Sequence, residues 1–170
     1  MADAALHLTD LPPCTRLVLR GRAAAIEAAT ARLGFALPIQ PCRAVTVQER
    51  SALWLGPDEW LILAAQSDPL AAALTQKLQL HPHSVVDISH RQCAIELTGA
   101  AAADVLNAGC PLDLDTTAFP PGMCTRTVLA KSEMILWRVA GETFRLEVTR
   151  SFAPYVRRFL LEAARDYPAG

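Results

Sequence analysis

One phrase occurs twice in this chain: a short apolar strand, a glycine, a run of alanines, then a helix. Thr15-Arg-Leu-Val-Leu-Arg-Gly21 runs into Arg22-Ala-Ala-Ala-Ile-Glu-Ala-Ala, and Cys93-Ala-Ile-Glu-Leu-Thr-Gly99 runs into Ala100-Ala-Ala-Ala-Asp-Val-Leu-Asn. A second phrase follows in each copy. Leu53-Trp-Leu-Gly-Pro-Asp-Glu-Trp-Leu-Ile-Leu63 leads to a helix started at Asp68-Pro69. Ile135-Leu-Trp-Arg-Val-Ala-Gly-Glu-Thr-Phe-Arg-Leu-Glu-Val148 leads to Ser151-Phe-Ala-Pro154. A spacing of about 80 residues is too long for a solenoid unit and suits a duplicated half-domain. Self-similarity of this kind constrains the architecture before any single residue is interpreted.

The periodicities fill in the halves, expected at about 14–80 and 85–165 of one compact domain spanning residues 1–170, with an N-terminal arm at 1–13. Leu17 and Leu19 alternate with Arg16, Val18 and Arg20, which predicts a strand with one wet face. Ile26, Ala29 and Leu33 form one helical stripe that Gly34 stops. Trp60-Leu-Ile-Leu63 reads as a central strand buried on both faces, and Pro69 sits in the first turn of the helix at 69–79. In the second copy a helix at 99–108 ends at Gly109, and Val85–Ile88 opens the half. Cys110–Pro121 is a long ordered loop, and β segments follow at 123–130, 133–139 and 142–149, the last two joined by a turn at Ala140-Gly141-Glu142. Phe152, Tyr155, Val156, Phe159, Leu160 and Ala163 then trace one face of a final helix, with Ser151 as its expected N-cap. The fold class is α+β: two pseudo-twofold halves of mainly antiparallel sheet with helices packed on the sheets.

Catalytic signatures fail one after another on their physical requirements. A phosphate cradle needs a glycine-rich loop opening a helix, and Gly21 and Gly99 each stand alone. Ser89 and His90 are neighbours, but consecutive strand side chains point to opposite faces, so they make no dyad. Metal candidates are His81/His83, His90/Cys93 and Asp113/Asp115; the first is expected to be a solvated loop, His90 a polar strand residue, and the two aspartates turn caps. The tryptophans and Phe144 fall inside strand patterns and read as core. A formal charge of −1 provides no field for nucleic acid or an anionic membrane. Five scattered cysteines, none in a C-x-x-C pair, suggest reduced thiols. No secretory signal or membrane span is read, so a cytoplasmic location is expected. The apolar fraction of 52% is high for a free-standing domain. Either an alanine-rich core or a partner covering apolar surface would account for it.

Asp87-Ile-Ser-His-Arg-Gln-Cys-Ala-Ile-Glu-Leu-Thr-Gly99 and Val105-Leu-Asn-Ala-Gly-Cys-Pro-Leu-Asp-Leu114 carry a resemblance. It continues through Phe119-Pro-Pro-Gly122, Cys124-Thr-Arg-Thr127, Leu136-Trp-Arg138, Phe144-Arg-Leu-Glu-Val148 and Arg150-Ser-Phe-Ala-Pro-Tyr155. With Leu55-Gly-Pro-Asp-Glu-Trp-Leu61 in the first half, the chain resembles the gamma subunits of heterotetrameric sarcosine oxidases. The Asp-x-Ser-His phrase is shared with folate-binding aminomethyltransferase-like proteins. The resemblance implies a two-halved folate-binding-domain fold and a place in a complex that oxidatively demethylates sarcosine to glycine. It implies hydrogen peroxide and methylenetetrahydrofolate as products, a beta subunit with FAD and FMN, an alpha subunit with NAD and tetrahydrofolate, and a delta subunit with zinc. It assigns no catalytic, cofactor or metal residue to this chain, and the carboxylate environment that holds the pterin in aminomethyltransferases has no counterpart here.

The leading expectation is therefore a non-catalytic subunit contacting alpha, beta and delta partners. The arm, the turn at Ser89, His90 and Arg91, and the loop residues Cys110, Pro111, Leu112, Asp113, Leu114 and Phe119 are its candidate contacts. Two alternatives stay open: a gamma-type subunit of a related N-methyl amino acid dehydrogenase, such as that for N-methylglutamate, and an independent folate-binding module.

Overall fold

The computed structural model describes residues 6–167. In chain order the elements are β1 (His7–Asp10), β2 (Thr15–Gly21), α1 (Ala23–Leu33), β3 (Ala44–Val47), β4 (Arg50–Gly56), β5 (Glu59–Ala64) and α2 (Leu70–Leu78). Then come β6 (His83–Asp87), β7 (Gln92–Thr98), α3 (Ala102–Asn107), β8 (Cys124–Leu129), β9 (Ser132–Ala140), β10 (Thr143–Thr149) and α4 (Ala153–Ala163). The sequence reading expects one compact domain; the chain divides into two compact units. One comprises Pro13–His90, the other the described parts of Met1–Pro12 and Arg91–Gly170.

Each unit is a five-stranded antiparallel sheet with two helices. In the first unit the strand order is β3-β4-β5-β2-β6, and in the second it is β8-β9-β10-β7-β1. These are the same topology, strand for strand, so the duplication read from the sequence is real. The fifth strands carry the surprise. β6 precedes β7 in the chain yet pairs with β2, and β1 precedes β2 yet pairs with β7. Each copy of the repeat thus lends its leading strand to the sheet of the other. Matching hydrogen bonds close both pairs: Ile88 N donates to Arg16 O and Leu11 N to Ala94 O, each at 2.9 Å.

Two boundaries are corrected by this exchange. Val85–Ile88 does not open the second unit, and residues 7–10 are not a free arm but a sheet edge. Leu8, on that edge, packs against the second unit's core. The strand escapes sequence reading because it is four residues long with one inward apolar side chain. The first five residues of the expected arm lie outside the described residues.

In the first unit, Leu17, Leu19, Trp60, Ile62 and Ala64 pack beneath Ala25, Ala29 and Leu33 of α1 and Leu70, Leu74 and Leu78 of α2. The i, i+4, i+8 leucines of α2 are wholly buried, each contributing about 1.5–3 kcal/mol of apolar transfer. In the second, Ile95, Leu97, Leu136, Phe144, Leu146 and Val148 pack under Val105, Leu106, Val156 and Leu160. β5 is the central strand and is buried from Trp60 to Ala64, as its unbroken apolar run predicts. Trp60 fills the core and donates its Nε1–H to Pro38 O at 2.7 Å. Trp137 and Phe144 are buried too, while Trp54 is half-buried.

The glycines of the repeated phrase serve two purposes. A Cβ on Gly21 would stand 2.7 Å from Ala25 Cβ, so Gly21 lets β2 turn closely into α1. Gly99 has φ 131, a conformation that side chains rarely adopt. Gly109 does not cap α3, whose C-cap is Ala108. It leaves room for Phe159, whose ring would lie 2.6 Å from a Cβ there. Ser151 likewise does not cap α4, which begins from Phe152 without a side-chain cap. Backbone bonds from Phe152 N to Thr149 O and Ala153 N to Arg150 O already close that turn.

Candidate functional site

The candidate catalytic side chains resolve into local structure. β6 ends at Asp87, whose Oδ1 accepts the Ser89 N–H at 2.8 Å, forming an Asx-type turn. Ser89 Oγ accepts the Arg16 N–H at 2.8 Å, so its hydroxyl ties the turn to β2. The Ser89 hydroxyl, then its N–H and the nearby His90 charge, hold the Asp87 carboxyl below its ordinary value despite a smaller opposing effect of burial. Ser89 is therefore engaged with Asp87 and Arg16, and His90 and Arg91 point their exposed side chains to solvent. His83 Nδ1 lies 2.7 Å from His81 O, a contact within its own loop. Among the described residues no group of three or more His, Cys, Asp or Glu side chains converges. None of the five cysteines is joined in a disulfide.

The Cys110–Pro121 loop is the more elaborate structure. Asp113 Oδ1 accepts Asp115 N at 2.9 Å, and Asp115 Oδ1 accepts Thr117 N at 2.8 Å and Thr117 Oγ1 at 2.6 Å. The Thr117 hydroxyl is the chief cause of the lowered Asp115 pKa. Both aspartates cap turns, as their spacing predicts. Beneath them Cys110, Leu114 and Phe119 are buried in the unit's own core, and Leu112 is half-buried against it. Only Pro111 and Asp113 of the six candidate loop residues present an exposed side chain. Apolar side chains at positions 110, 114 and 119 thus serve to anchor the loop rather than to meet a partner.

The loop is fastened by a residue that the sequence reading leaves unassigned. Arg138 on β9 is 4% exposed. One of its terminal nitrogens donates to Leu114 O at 2.9 Å and to Phe119 O at 2.8 Å, and Nε donates to Gly141 O at 2.9 Å. Its guanidinium carbon stands 4.7 Å from the centre of the Phe144 ring. Burial lowers the pKa of Arg138, and the Asp115 charge opposes that. A guanidinium suits the task because its planar fork satisfies several carbonyls at once. The signal was available: alternation along Met134, Leu136 and Arg138 puts the arginine on the core face. Arg16 makes the same point on β2, where the expected wet face holds a buried arginine whose terminal nitrogen donates to Cys14 O at 3.2 Å.

Surface features divide into polar and apolar. A concavity of about 330 Å³ at the start of α1 is lined by Arg20, Arg22, Asp58 and His83 among others. Arg20, itself exposed, stands 3.5 Å from Asp58 and 3.7 Å from the largely covered Glu59, in loose pairs. On α4 the expected apolar face is only partly used: Val156 and Leu160 are buried and Phe159 and Ala163 half-buried, whereas Phe152 and Tyr155 are exposed. No helix among the described residues is long and apolar enough to cross a membrane.

Two like sheets, each closed by a strand from the other repeat and capped by two helices, define a fold rather than an active site. That fold is the one seen in the glycine cleavage system aminomethyltransferase T from Bartonella henselae. The match has a TM-score of 0.69 at 16% identity and covers 94% of this chain and 46% of that one. The chain belongs to the sarcosine oxidase, gamma subunit family, whose model matches residues 20–166. It is 35% identical over 122 residues to a sarcosine oxidase subunit gamma from Corynebacterium sp. (strain P-1), a match spanning 72% of this chain and 60% of that relative. It is 34% identical to its counterpart from Corynebacterium sp. (strain U-96), over 98% of this chain and 83% of the relative. A chain of the heterotetrameric sarcosine oxidase from Corynebacterium sp. U-96, solved with pyrrole 2-carboxylate, superposes with a TM-score of 0.93 at 30% identity. That match covers all of this chain and 89% of the other.

Proposed function

We propose that this chain is the non-catalytic gamma subunit of a heterotetrameric sarcosine oxidase, an oxidoreductase that demethylates sarcosine to glycine with formation of hydrogen peroxide and methylenetetrahydrofolate. FAD, FMN, NAD, tetrahydrofolate and zinc belong to its alpha, beta and delta partners, and the complex works in the cytoplasm. The observation that carries this reading is the superposition of the whole chain on one chain of the Corynebacterium enzyme. The local roles found for Ser89, Asp113 and Asp115 support it, since each of these three polar groups is engaged in holding its own turn. Ser89 with the exposed side chains of His90 and Arg91, and separately Pro111, Leu112 and Asp113, are proposed to meet the larger chains; Cys110, Leu114 and Phe119 anchor the Cys110–Pro121 loop in its own unit's core.

The test is co-expression with the three other subunits from the same genome. A stoichiometric complex that oxidises sarcosine is expected, together with a chain that aggregates at high concentration when made alone. Purified chain that stays monomeric at high concentration and binds tetrahydrofolate at micromolar levels would replace this reading with that of an independent folate module.

A further inference from the structure

The repeat supplies an internal control for deciding which surface features the fold itself requires. α2 and α4 occupy equivalent places, each following the last hairpin of its sheet and each with a proline beside its first residue. Both bury an apolar stripe, Leu70, Leu74 and Leu78 on α2 and Val156 and Leu160 on α4. Their outer faces differ. α2 exposes Ala72, Thr75, Gln76 and Lys77, whereas α4 leaves Phe152 47% and Tyr155 39% exposed. The fold itself does not call for aromatic residues at this place, since the equivalent face of α2 carries none.

We propose that this edge of α4, Phe152 and Tyr155 flanked by Arg150 and Arg158, is a docking face for an acidic surface with an apolar centre on one of the larger subunits. The inference rests on the subunit reading above and adds the face and the chemistry of what covers it. Three observations support it. Residues 152 and 155 are neighbours on one helix flank, and the Tyr155 ring lies 6.5 Å from that of Phe159, which is itself set against Gly109. Tyr155 is thus braced by Phe159 before any partner arrives, which lessens the side-chain freedom it loses on binding.

The charges select the occupant. Arg157 pairs with Asp10 at 3.4 Å and Arg165 with Glu162 at 2.8 Å. Arg150 and Arg158 are exposed and make no ion pair among the described residues. A second copy docking by twofold symmetry would set these cations against their own images, which costs free energy. A carboxylate-bearing partner turns the same two charges into attraction. Tyrosine, phenylalanine and arginine are also the residue types that concentrate at the energetic centre of protein interfaces.

The full-length chain is co-expressed with the other subunits and assembly is read by native mass and by titration of the purified chain into the remaining complex. Phe152→Ser with Tyr155→Ser should weaken assembly by about 30-fold, and Arg158→Glu by about 10-fold with a reduced salt dependence. Gln76→Ser with Lys77→Glu on α2 should assemble as wild type. Circular dichroism and melting keep misfolding apart from lost contact, since all these side chains are exposed. As a second measurement, hydrogen exchange in 152–162 should slow on assembly of the wild-type chain. Undiminished assembly of the α4 variants, or unchanged exchange there, overturns the docking face and leaves the subunit reading standing. Wild-type chain that fails to assemble at all overturns the subunit reading first, and a homodimer abolished by the α4 variants overturns the acidic occupant.

Discussion

Replacing Arg138 with methionine tests whether the Cys110–Pro121 loop is held by one buried guanidinium. Methionine roughly keeps the length and apolar bulk of the side chain and removes the donors. Leu114 O and Phe119 O, at 2.9 and 2.8 Å from the lost nitrogen, would then be left without that donor in a buried setting. Each orphaned carbonyl costs about 1–3 kcal/mol. Loss of the contact over Phe144 adds about 1 kcal/mol. Against this, the variant no longer confines a cation away from water, the same burial that lowers the arginine pKa. The net expectation is a loss of about 3 kcal/mol, which for a chain of this size lowers Tm by about 6–12 °C. Hydrogen exchange and limited proteolysis should localise the change to residues 110–121 and the β9–β10 turn, leaving β2 and β5 protected. Arg138→Lys should recover part of the loss, since an ammonium cannot reach all three carbonyls in one plane. A methionine variant melting within about 1 °C of wild type, with the loop still protected, would refute the reasoning.

Deleting residues 1–10 removes β1 and its ladder to β7, and is expected to cost about 3 kcal/mol and to expose to exchange those amides of residues 95–98 that face β1, while the first unit is unaffected; unchanged exchange there counts against the strand exchange. Gly109→Ala should destabilise by about 1–3 kcal/mol because the new methyl meets the Phe159 ring, and adding Phe159→Leu should recover part of it in a double-mutant cycle read by denaturant melts. Asp87 has a lowered folded pKa, so its contribution is present above the ordinary carboxylate range, at about pH 4, and is lost as pH falls through the folded value. Melting from pH 5 to 2.5 should therefore decline less steeply in Asp87→Asn than in wild type, and parallel profiles would remove Ser89 and His90 as the cause.

Sequence alone determined the duplication, the α+β class and most elements, because each depends on local repetition: period-two strands, the Ile26, Ala29 and Leu33 stripe of α1, the hairpin at Gly141. The family resemblance was equally legible, since it rests on ordered phrases. It also located the turn chemistry of Asp113 and Asp115, which spans two residues. The partners of β1 and β6 were decided only in three dimensions, for an edge strand is selected by free hydrogen-bonding groups on another segment and carries almost no pattern of its own. The burial of Cys110, Leu114 and Phe119 was decided there too, since whether a loop side chain faces a partner or its own core depends on what lies beneath it. The same holds for Arg138, whose charge reads as surface until two carbonyls of the Cys110–Pro121 loop and one of the adjoining turn are seen to converge on it.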